Sequence, residues 1–359
     1  MPLFYFPQVL NNTAEFSIAM RRIEALLLAS ETEYSPLVYA SSDLGISIRN
    51  GEFEWTGEIY SHDFEKPAPI APSKGRRDAK PVDNPDVEIK KPTESVAFAL
   101  RNINLDIEKG SLVAVVGSVG SGKSSLLNAL IGEMKTTSGT ISFSGSLGYA
   151  AQTAWIQNAN LRDNILFGKE YNHERYLNAL LDAALLPDLK VLPDGDQTSI
   201  GERGINLSGG QKQRVNLARL IYNDSDIVLI DDPLSAVDAH VGKHLFDRCI
   251  RGALGNRTRI LVTHQLHFLA QCDRIIVMKA GEISEQGSYQ ELISNNGEFS
   301  KMNAAYGSEE HEDVETGGEE VVETRARDLS ELEQVLTSKT TGKDIMSAED
   351  QESGRVPLH

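Results

Sequence analysis

A glycine-rich segment constrains the fold of this chain more than any other feature. Gly117-Ser-Val-Gly-Ser-Gly122-Lys123-Ser124 matches G-x-x-x-x-G-K-[S/T], the pattern of a phosphate-binding loop. It follows an apolar run and opens a stretch with helical patterning, which is the order that phosphate binding requires. Glycines let the backbone curl so that its N–H groups face a phosphate, and the helix N-terminus adds positive potential. The sequence therefore predicts that Lys123 reaches the β- and γ-phosphates of a nucleotide and that Ser124 ligates Mg²⁺.

Short runs rich in Val and Ile have the composition of strands buried on both faces of a parallel sheet. They alternate with helical stretches that can supply the crossover connections, so the sequence predicts an α/β core between Phe98 and about Tyr306. The runs are LVAVVG (112–117), DIVLID (226–231), RILVTH (259–264) and DRIIVM (273–278).

The second of these runs ends in two adjacent carboxylates, Asp231 and Asp232. A side chain at the carboxyl end of a buried parallel strand lies at the ligand-binding edge of such a sheet. We therefore expect Asp231 to hold Mg²⁺ through a water molecule. Asp232 occupies the next position, where a general base could face the γ-phosphate.

Another segment suited to anions is Leu207-Ser-Gly-Gly-Gln211, which opens a helical stretch. Free N–H groups and the helix dipole at such a start make an anion site. The chain thus has two predicted phosphate-binding helix starts, and both need not bind the same nucleotide.

Charge and composition exclude several classes of protein. The 359 residues include 52 acidic and 35 basic side chains, a formal net charge of −17, which disfavours nucleic acid as a partner. Two cysteines, Cys249 and Cys272, indicate a reduced, intracellular chain without a disulfide framework. No run reaches the ~18 apolar residues of a membrane span, and the N-terminus is not a secretory signal.

The flanks differ from the core in composition. Residues 1–33 are helix-like, either as an amphipathic helix on the same domain or as a membrane-proximal segment. Residues 45–55 are predicted to form two short strands around an Asn-Gly turn. The proline-rich stretch 56–95 is predicted to be a mobile inserted loop. Residues 307–353 hold 15 acidic and 4 basic residues, so we expect a solvated tail with one short helix near Leu329–Leu336.

Taken together, these motifs resemble the ATP-binding cassette (ABC) family over residues 45–305. The segment 207–211 reads LSGGQ, the family signature, and the other motifs follow in the family's order. Gln152 resembles the Q-loop glutamine, Ser235-Ala-Val-Asp238 the D-loop, and His264 the switch histidine. Trp55 resembles the aromatic residue that stacks on adenine, with Phe98 as the alternative.

The resemblance implies a phosphate-loop NTPase core with an antiparallel β-subdomain, an α-helical signature subdomain, a disordered insertion and an acidic tail. It implies bound ATP and Mg²⁺, with Asp232, His264 and Gln152 as catalytic residues. The implied Mg²⁺ ligands are Ser124, Gln152 and Asp231. The implied ATP-binding residues are Trp55, Gly117, Ser118, Val119, Gly120, Ser121, Gly122, Lys123, Ser124 and Ser125. The signature residues, which would contact ATP on a partner domain, are Leu207, Ser208, Gly209, Gly210 and Gln211.

Further segments, among them AWIQNANLRDNILFG and DDPLSAVDAHVGKHLF, are similar to the first nucleotide-binding domain of subfamily C, the multidrug-resistance-associated proteins. The insertion is similar to that of fungal oligomycin-resistance-type pumps. The implied organisation is a connecting helix at 1–40, a nucleotide-binding domain at 41–306 and an acidic linker at 307–359. The implied partners are a second nucleotide-binding domain and membrane-domain coupling helices, received by about Gln152 to Gly168 and including Phe167. The implied place is the cytoplasmic face of a plasma or vacuolar membrane.

One position departs from the family pattern. Most ABC domains have Glu after the acid of the buried strand, whereas this chain has Asp232, whose carboxylate is one methylene shorter. We therefore expect slow turnover, because a general base must be within hydrogen-bond reach of the attacking water.

The resemblance also allows a regulatory domain of an ABC-type channel or receptor. A soluble ABC protein of DNA repair or translation is disfavoured by charge, and a kinase with a phosphate loop is disfavoured by the LSGGQ segment.

Overall fold

The structure, a computed structural model, describes residues 2–28, 38–39, 43–55, 99–201, 207–306 and 318–338. Met1–Pro36 forms one compact unit and Leu37–His359 another. The first unit contains helix α1 (Pro2–Leu27), which confirms the helix predicted near the N-terminus. Apolar side chains along α1, such as Phe6 and Phe16, are exposed. Among the described residues no helix is long and apolar enough to cross a bilayer.

The described strands of the second unit form two sheets. The strands are β1 (Val38–Tyr39), β2 (Leu44–Glu54), β3 (Ala99–Glu108), β4 (Leu112–Gly117), β5 (Lys135–Phe143), β6 (Leu147–Ala150), β7 (Ile227–Asp231), β8 (Thr258–Val262), β9 (Arg274–Lys279) and β10 (Glu282–Gly287). The larger sheet has the order β10-β9-β4-β8-β7-β6, and its pairs are parallel except for β9 with β10. The smaller sheet has the order β1-β5-β2-β3, with antiparallel pairs on both sides of β2. The predicted α/β core and each of its four predicted strands are confirmed within about two residues.

Helices pack on both faces of the larger sheet. They are α2 (Lys123–Ile131), α3 (Leu161–Leu166), α4 (His173–Asp182), α5 (Leu186–Val191), α6 (Gly209–Asn223), α7 (Ala239–His244), α8 (Tyr289–Ser294), α9 (Glu298–Tyr306) and α10 (Gly318–Ser338), with a π-helical continuation of α7 over Leu245–Ala253. One apolar cluster joins α2 and the smaller sheet to the larger sheet. The other cluster lies on the opposite face and extends through α4, α5 and α6.

The prediction of two short strands around an Asn-Gly turn is wrong. Residues 45–55 lie almost entirely in one strand, β2, and the Asn50–Gly51 step is a bulge at which the pairing register shifts. Asn50 adopts a left-handed φ of 47°, and its N–H donates to Asn104 Oδ1 at 2.9 Å. Because β2 is hydrogen-bonded to β3 on one side and β5 on the other, the chain cannot fold back on itself there.

The acidic tail contains a longer helix than predicted. A short helix was expected near Leu329–Leu336, but α10 extends over Gly318–Ser338 and packs against the second apolar cluster, with Leu332 fully buried. The predicted helix is therefore confirmed but is longer than expected, and the expectation of a solvated tail is wrong for its buried face. The predicted loop at 56–95, the alternative aromatic Phe98 and the rest of the tail lie outside the described residues.

The topology places the predicted functional residues together. The segment after β4, the acids at the end of β7 and the residues after β8 all lie at the carboxyl edge of neighbouring parallel strands. This edge is the usual ligand-binding edge of an open α/β sheet.

Candidate nucleotide-binding site

The loop between β4 and α2 has the backbone curvature of an anion cradle. Gly117, Gly120 and Gly122 have φ values of 150°, 79° and 107°, which residues with a Cβ atom rarely adopt. A Cβ atom at Gly117 would lie 2.3 Å from the carbonyl oxygen of Met278 on neighbouring β9. Glycine is therefore required at this position both by conformation and by space. The loop leads into α2, whose first residue is Lys123 and whose N-terminal N–H groups have no partner within the helix.

The ammonium group of Lys123 lies inside the curve of this loop. Its Nζ donates to the carbonyl oxygens of Gly117 at 3.0 Å and Ser118 at 2.9 Å. Burial lowers the pKa of Lys123, while the charges of Asp232 and Asp231 act in the opposite direction. A buried ammonium group whose described hydrogen-bond partners are two carbonyl oxygens is well placed to exchange those partners for phosphate oxygens.

The two acids of β7 have different surroundings. Asp231 accepts a hydrogen bond from Ser124 Oγ at 3.1 Å. Burial raises the pKa of Asp231, and the charge of Asp232 raises it further, although the bond from Ser124 opposes this. Asp232 has a left-handed φ of 46° and donates its N–H to the carbonyl of Val262 at 3.0 Å. Its Oδ1 is buried and has no hydrogen-bond partner among the described residues.

These groups meet at one cavity of about 290 Å³. The residues that line it are Trp55, Val119, Gly120, Gly122, Lys123, Ser124, Ser125, Gln152, Asp231, Asp232, Val262 and His264. Trp55 is about one-third exposed and donates its indole N–H to Ser125 Oγ at 3.3 Å. Gly117, Ser118 and Ser121, which were also predicted as ATP-binding residues, belong to the same loop but do not line the cavity. Val262 lines it although no sequence motif marked this position.

The cavity residues fit Mg²⁺ and a nucleoside triphosphate. Ser124 Oγ and an Asp231 carboxylate oxygen are already adjacent, and oxygen donors of this kind are the ligands that Mg²⁺ prefers. Gln152 lines the same cavity and can supply a further oxygen. Mg²⁺ keeps several waters and shares phosphate oxygens, so one or two protein ligands are sufficient for a nucleotide-bound ion.

The LSGGQ segment forms a capped helix start away from this cavity. Leu207, Ser208, Gly209, Gly210 and Gln211 are all described, and none of them lines the cavity. Ser208 caps α6 through a reciprocal capping box: its Oγ accepts from the Gln211 N–H at 3.2 Å, and Gln211 Oε1 accepts from the Ser208 N–H at 2.8 Å. A Cβ at Gly210 would lie 3.0 Å from the carbonyl of Ala236, so the signature adjoins the 235–238 segment.

Two contacts that the sequence did not reveal hold the signature helix. Asp188 of α5 accepts from Gln211 Nε2 at 3.1 Å and from two guanidinium nitrogens of Arg214 at 2.7 Å each. Buried Gln213 donates to the carbonyl of Gln152. These contacts join α6 to α5 on one side and to the segment after β6 on the other. Only the three-dimensional structure identifies them, because the partners are separated in sequence and Asp188, Gln213 and Arg214 belong to no motif.

Residues 152–168 carry an exposed aromatic pair. Trp155 is 61% and Phe167 47% exposed, and their rings meet edge to face at 5.9 Å. The guanidinium of Arg219 lies 4.6 Å from the Phe167 ring centre and donates to the carbonyls of Trp155 and Asn164 at 2.9 and 2.8 Å. Burial lowers the pKa of Arg219 to about 10. The pair is thus held on a rigid base while its outer faces remain in solvent.

Comparison with known proteins agrees with this geometry. The family model described as ABC transporter matches residues 100–235. The chain is 42% identical over 352 residues to ATP-binding cassette sub-family C member 3 of Rattus norvegicus, which covers 97% of this chain and 20% of that protein. This chain carries an ABC transporter domain of the subfamily C type. ABC domains of this kind bind and hydrolyse ATP.

Two further relatives extend the similarity beyond mammals. The chain is 41% identical to ABC transporter C family member 3 of Dictyostelium discoideum, over 100% of this chain and 23% of that protein. It is 44% identical to the ABC-type transporter cicA of Emericella nidulans, over 84% of this chain and 21% of that protein. The chain therefore spans about one-fifth of the length of these relatives. The ABC identity inferred from the motifs is confirmed.

Proposed function

We propose that this chain binds Mg·ATP in the cavity at the carboxyl edge of the larger sheet. The observation that carries the proposal is the convergence there of residues from the loop after β4, the end of β7 and the segment after β8. The loop N–H groups and Lys123 would bind the phosphates, and Trp55 would stack on the base. Ser124, Asp231 and Gln152 would hold Mg²⁺, which supplies charge neutralisation at the phosphates when bound.

Catalysis at this site is proposed to be weak. Asp232 lines the cavity, where its carboxylate would accept a proton from a water molecule near the γ-phosphate. His264 lines the same cavity and would contact the γ-phosphate. However, the Asp232 side chain is one methylene shorter than the glutamate typical of the family.

The signature segment is proposed to act on a second nucleotide-binding domain. Its capped helix start presents N–H groups to solvent and lines no part of this chain's own cavity. In a head-to-tail pair, Ser208, Gly210 and Gln211 would cap ATP held by the partner, and the partner's signature would cover ATP held here. Closure would then depend on γ-phosphate contacts made only in the paired state.

The exposed pair of Trp155 and Phe167 is proposed as the contact for membrane-domain coupling helices. An aromatic pair that is fixed on a guanidinium and open on its outer side suits a socket for an apolar side chain. With these contacts the chain would lie at the cytoplasmic face of a membrane. There it would serve as the first nucleotide-binding domain of a subfamily C exporter that drives substrate efflux.

The test of this proposal compares ATP binding and hydrolysis by the wild-type chain and Asp232→Glu. The proposal predicts tight Mg·ATP binding with little turnover, and a rise of at least about tenfold with the longer carboxylate, because general bases contribute ~10²–10⁴-fold. Asp232→Asn is the matched control and should not raise turnover. Robust wild-type turnover that Asp232→Glu fails to improve would mean that the aspartate is a competent base.

A further inference from the structure

Helix α10 is bound to the helical part of the molecule by apolar contacts. Leu332 is fully buried, and Leu329, Val335 and Leu336 pack against the same apolar cluster. These positions lie three to four residues apart and therefore share one face of the helix. The acidic segment that contains α10 lies outside residues 100–235, which match the ABC family model.

A part-buried ion pair fixes the N-terminal half of α10. Arg325 donates to both carboxylate oxygens of Asp182 on α4, at 2.6 and 3.2 Å, and to Asn178 Oδ1 at 2.7 Å. Only 6% of the Asp182 side chain is exposed. A forked, bidentate contact of this kind sets orientation as well as position, and only arginine can make it.

The C-terminal half of α10 is joined to α5, the helix that holds the signature. Glu331 pairs with Lys190 of α5 at 2.7 Å. Asp188, on the same six-residue helix, accepts the hydrogen bonds from Gln211 and Arg214. A helix of this length moves as one body. Lys190 and Asp188 both belong to α5. A displacement of α5 at Lys190 would therefore also shift Asp188, and with it the N-terminus of α6.

We propose that α10 is an intramolecular brace that orients the LSGGQ segment, with Arg325 as the positioning residue. The brace fixes α4 and α5 relative to each other, and α5 fixes Gln211 and Arg214. Its functional value rests on the proposed role of the signature toward a partner's nucleotide. The phosphate loop is held by β4, β9 and α2, so it does not depend on the brace.

Hydrogen–deuterium exchange of the chain, without nucleotide or partner, tests this inference. In Arg325→Ala, amides in 186–191 and 207–214 should exchange at least about tenfold faster, whereas 117–125 should not change. Gln334→Ala is the control, since Gln334 is an exposed residue on the same helix. Arg325→Lys keeps the charge but loses the fork, and it should restore protection only in part.

Faster exchange confined to α10, with 186–191 and 207–214 unchanged, would overturn the brace. If Arg325→Ala does not fold, Lys190→Ala tests the same connection at α5, and unchanged protection of 207–214 would then refute the inference. Mg·ATP binding is measured separately on the same variants. If the wild-type chain does not bind Mg·ATP, the proposed function is contradicted, whereas the exchange result remains valid as a test of the brace.

Discussion

Asp231 and Asp232, adjacent at the end of β7, have the same side chain but different hydrogen bonding. Asp231 accepts a hydrogen bond from Ser124 and has its pKa raised by burial, whereas Asp232 has a buried Oδ1 to which no described residue donates. The sequence was sufficient to place both acids beside the phosphate loop, because an apolar strand that ends in acids is a weak signal alone but a strong one in a chain that also has that loop. It could not reveal Val262 or the Asp188 contacts, since these depend on packing between distant segments.

The ionised Asp231 carboxylate should destabilise the fold when no nucleotide is bound, because burial disfavours its charge. Because the folded-state pKa is raised above the ordinary 3.8, the carboxyl stabilises the fold when protonated, and this contribution is lost as pH rises through the folded pKa. Asp231→Asn should therefore gain stability relative to wild type as pH increases, by up to a few degrees in Tm. Thermal unfolding without nucleotide, followed upward from about pH 4, measures this difference across the range between the ordinary pKa and the raised one. A difference that shrinks with rising pH would contradict the burial argument.

At the scale of elements, local signals were reliable where no neighbouring segment competed with them. The phosphate loop and the LSGGQ segment both begin helices as predicted, because glycine conformations and a serine cap act within a few residues. The Asn-Gly step misled the prediction for the opposite reason. Pairing of β2 with strands on both sides outweighs the local turn preference, which leaves a bulge instead of a hairpin.

The capping box of α6 provides a prediction with a control in the same chain. Ser208→Ala removes the acceptor for the Gln211 N–H and should lower the free energy of unfolding by about 0.5–2 kcal/mol. Ser288→Ala removes the equivalent cap of α8, which has the same reciprocal bonds to Glu291, and should lower stability similarly. Urea unfolding compares the two variants. In a paired transporter only Ser208→Ala should reduce ATPase activity, and equal reductions would argue against a nucleotide contact by the signature.

At the scale of the whole molecule, one unit combines the cavity at the carboxyl edge of the larger sheet, the LSGGQ segment outside that cavity and the exposed aromatic pair of Trp155 and Phe167. The sequence anticipated all three through motifs that each need only a short segment. It did not anticipate the docking of α10, because the acidic composition of the tail hides the four apolar residues that bind it to the core.

Phe167 should matter more to assembly than to this chain alone. Its ring is half exposed and its described contacts are with Trp155 and Arg219, so Phe167→Ala should cost only about 1 kcal/mol of stability. Assembly of a full-length transporter should fall much more strongly than Mg·ATP binding by the chain. Val191→Ala, at a position that is 81% exposed, is the control and should affect neither. Equal loss of assembly and nucleotide binding would refute the proposed coupling contact.

The most direct test of the central claim is a fluorescence titration with Mg·ATP. The chain has two tryptophans, so Trp155→Phe leaves Trp55 as the reporter beside the cavity. The account predicts a saturable change in Trp55 emission. It also predicts that Lys123→Ala weakens binding by about 10–100-fold, the range expected for loss of a charge-assisted hydrogen bond. An emission change that Lys123→Ala leaves undiminished, or no change at millimolar Mg·ATP, would contradict a nucleotide site at this loop.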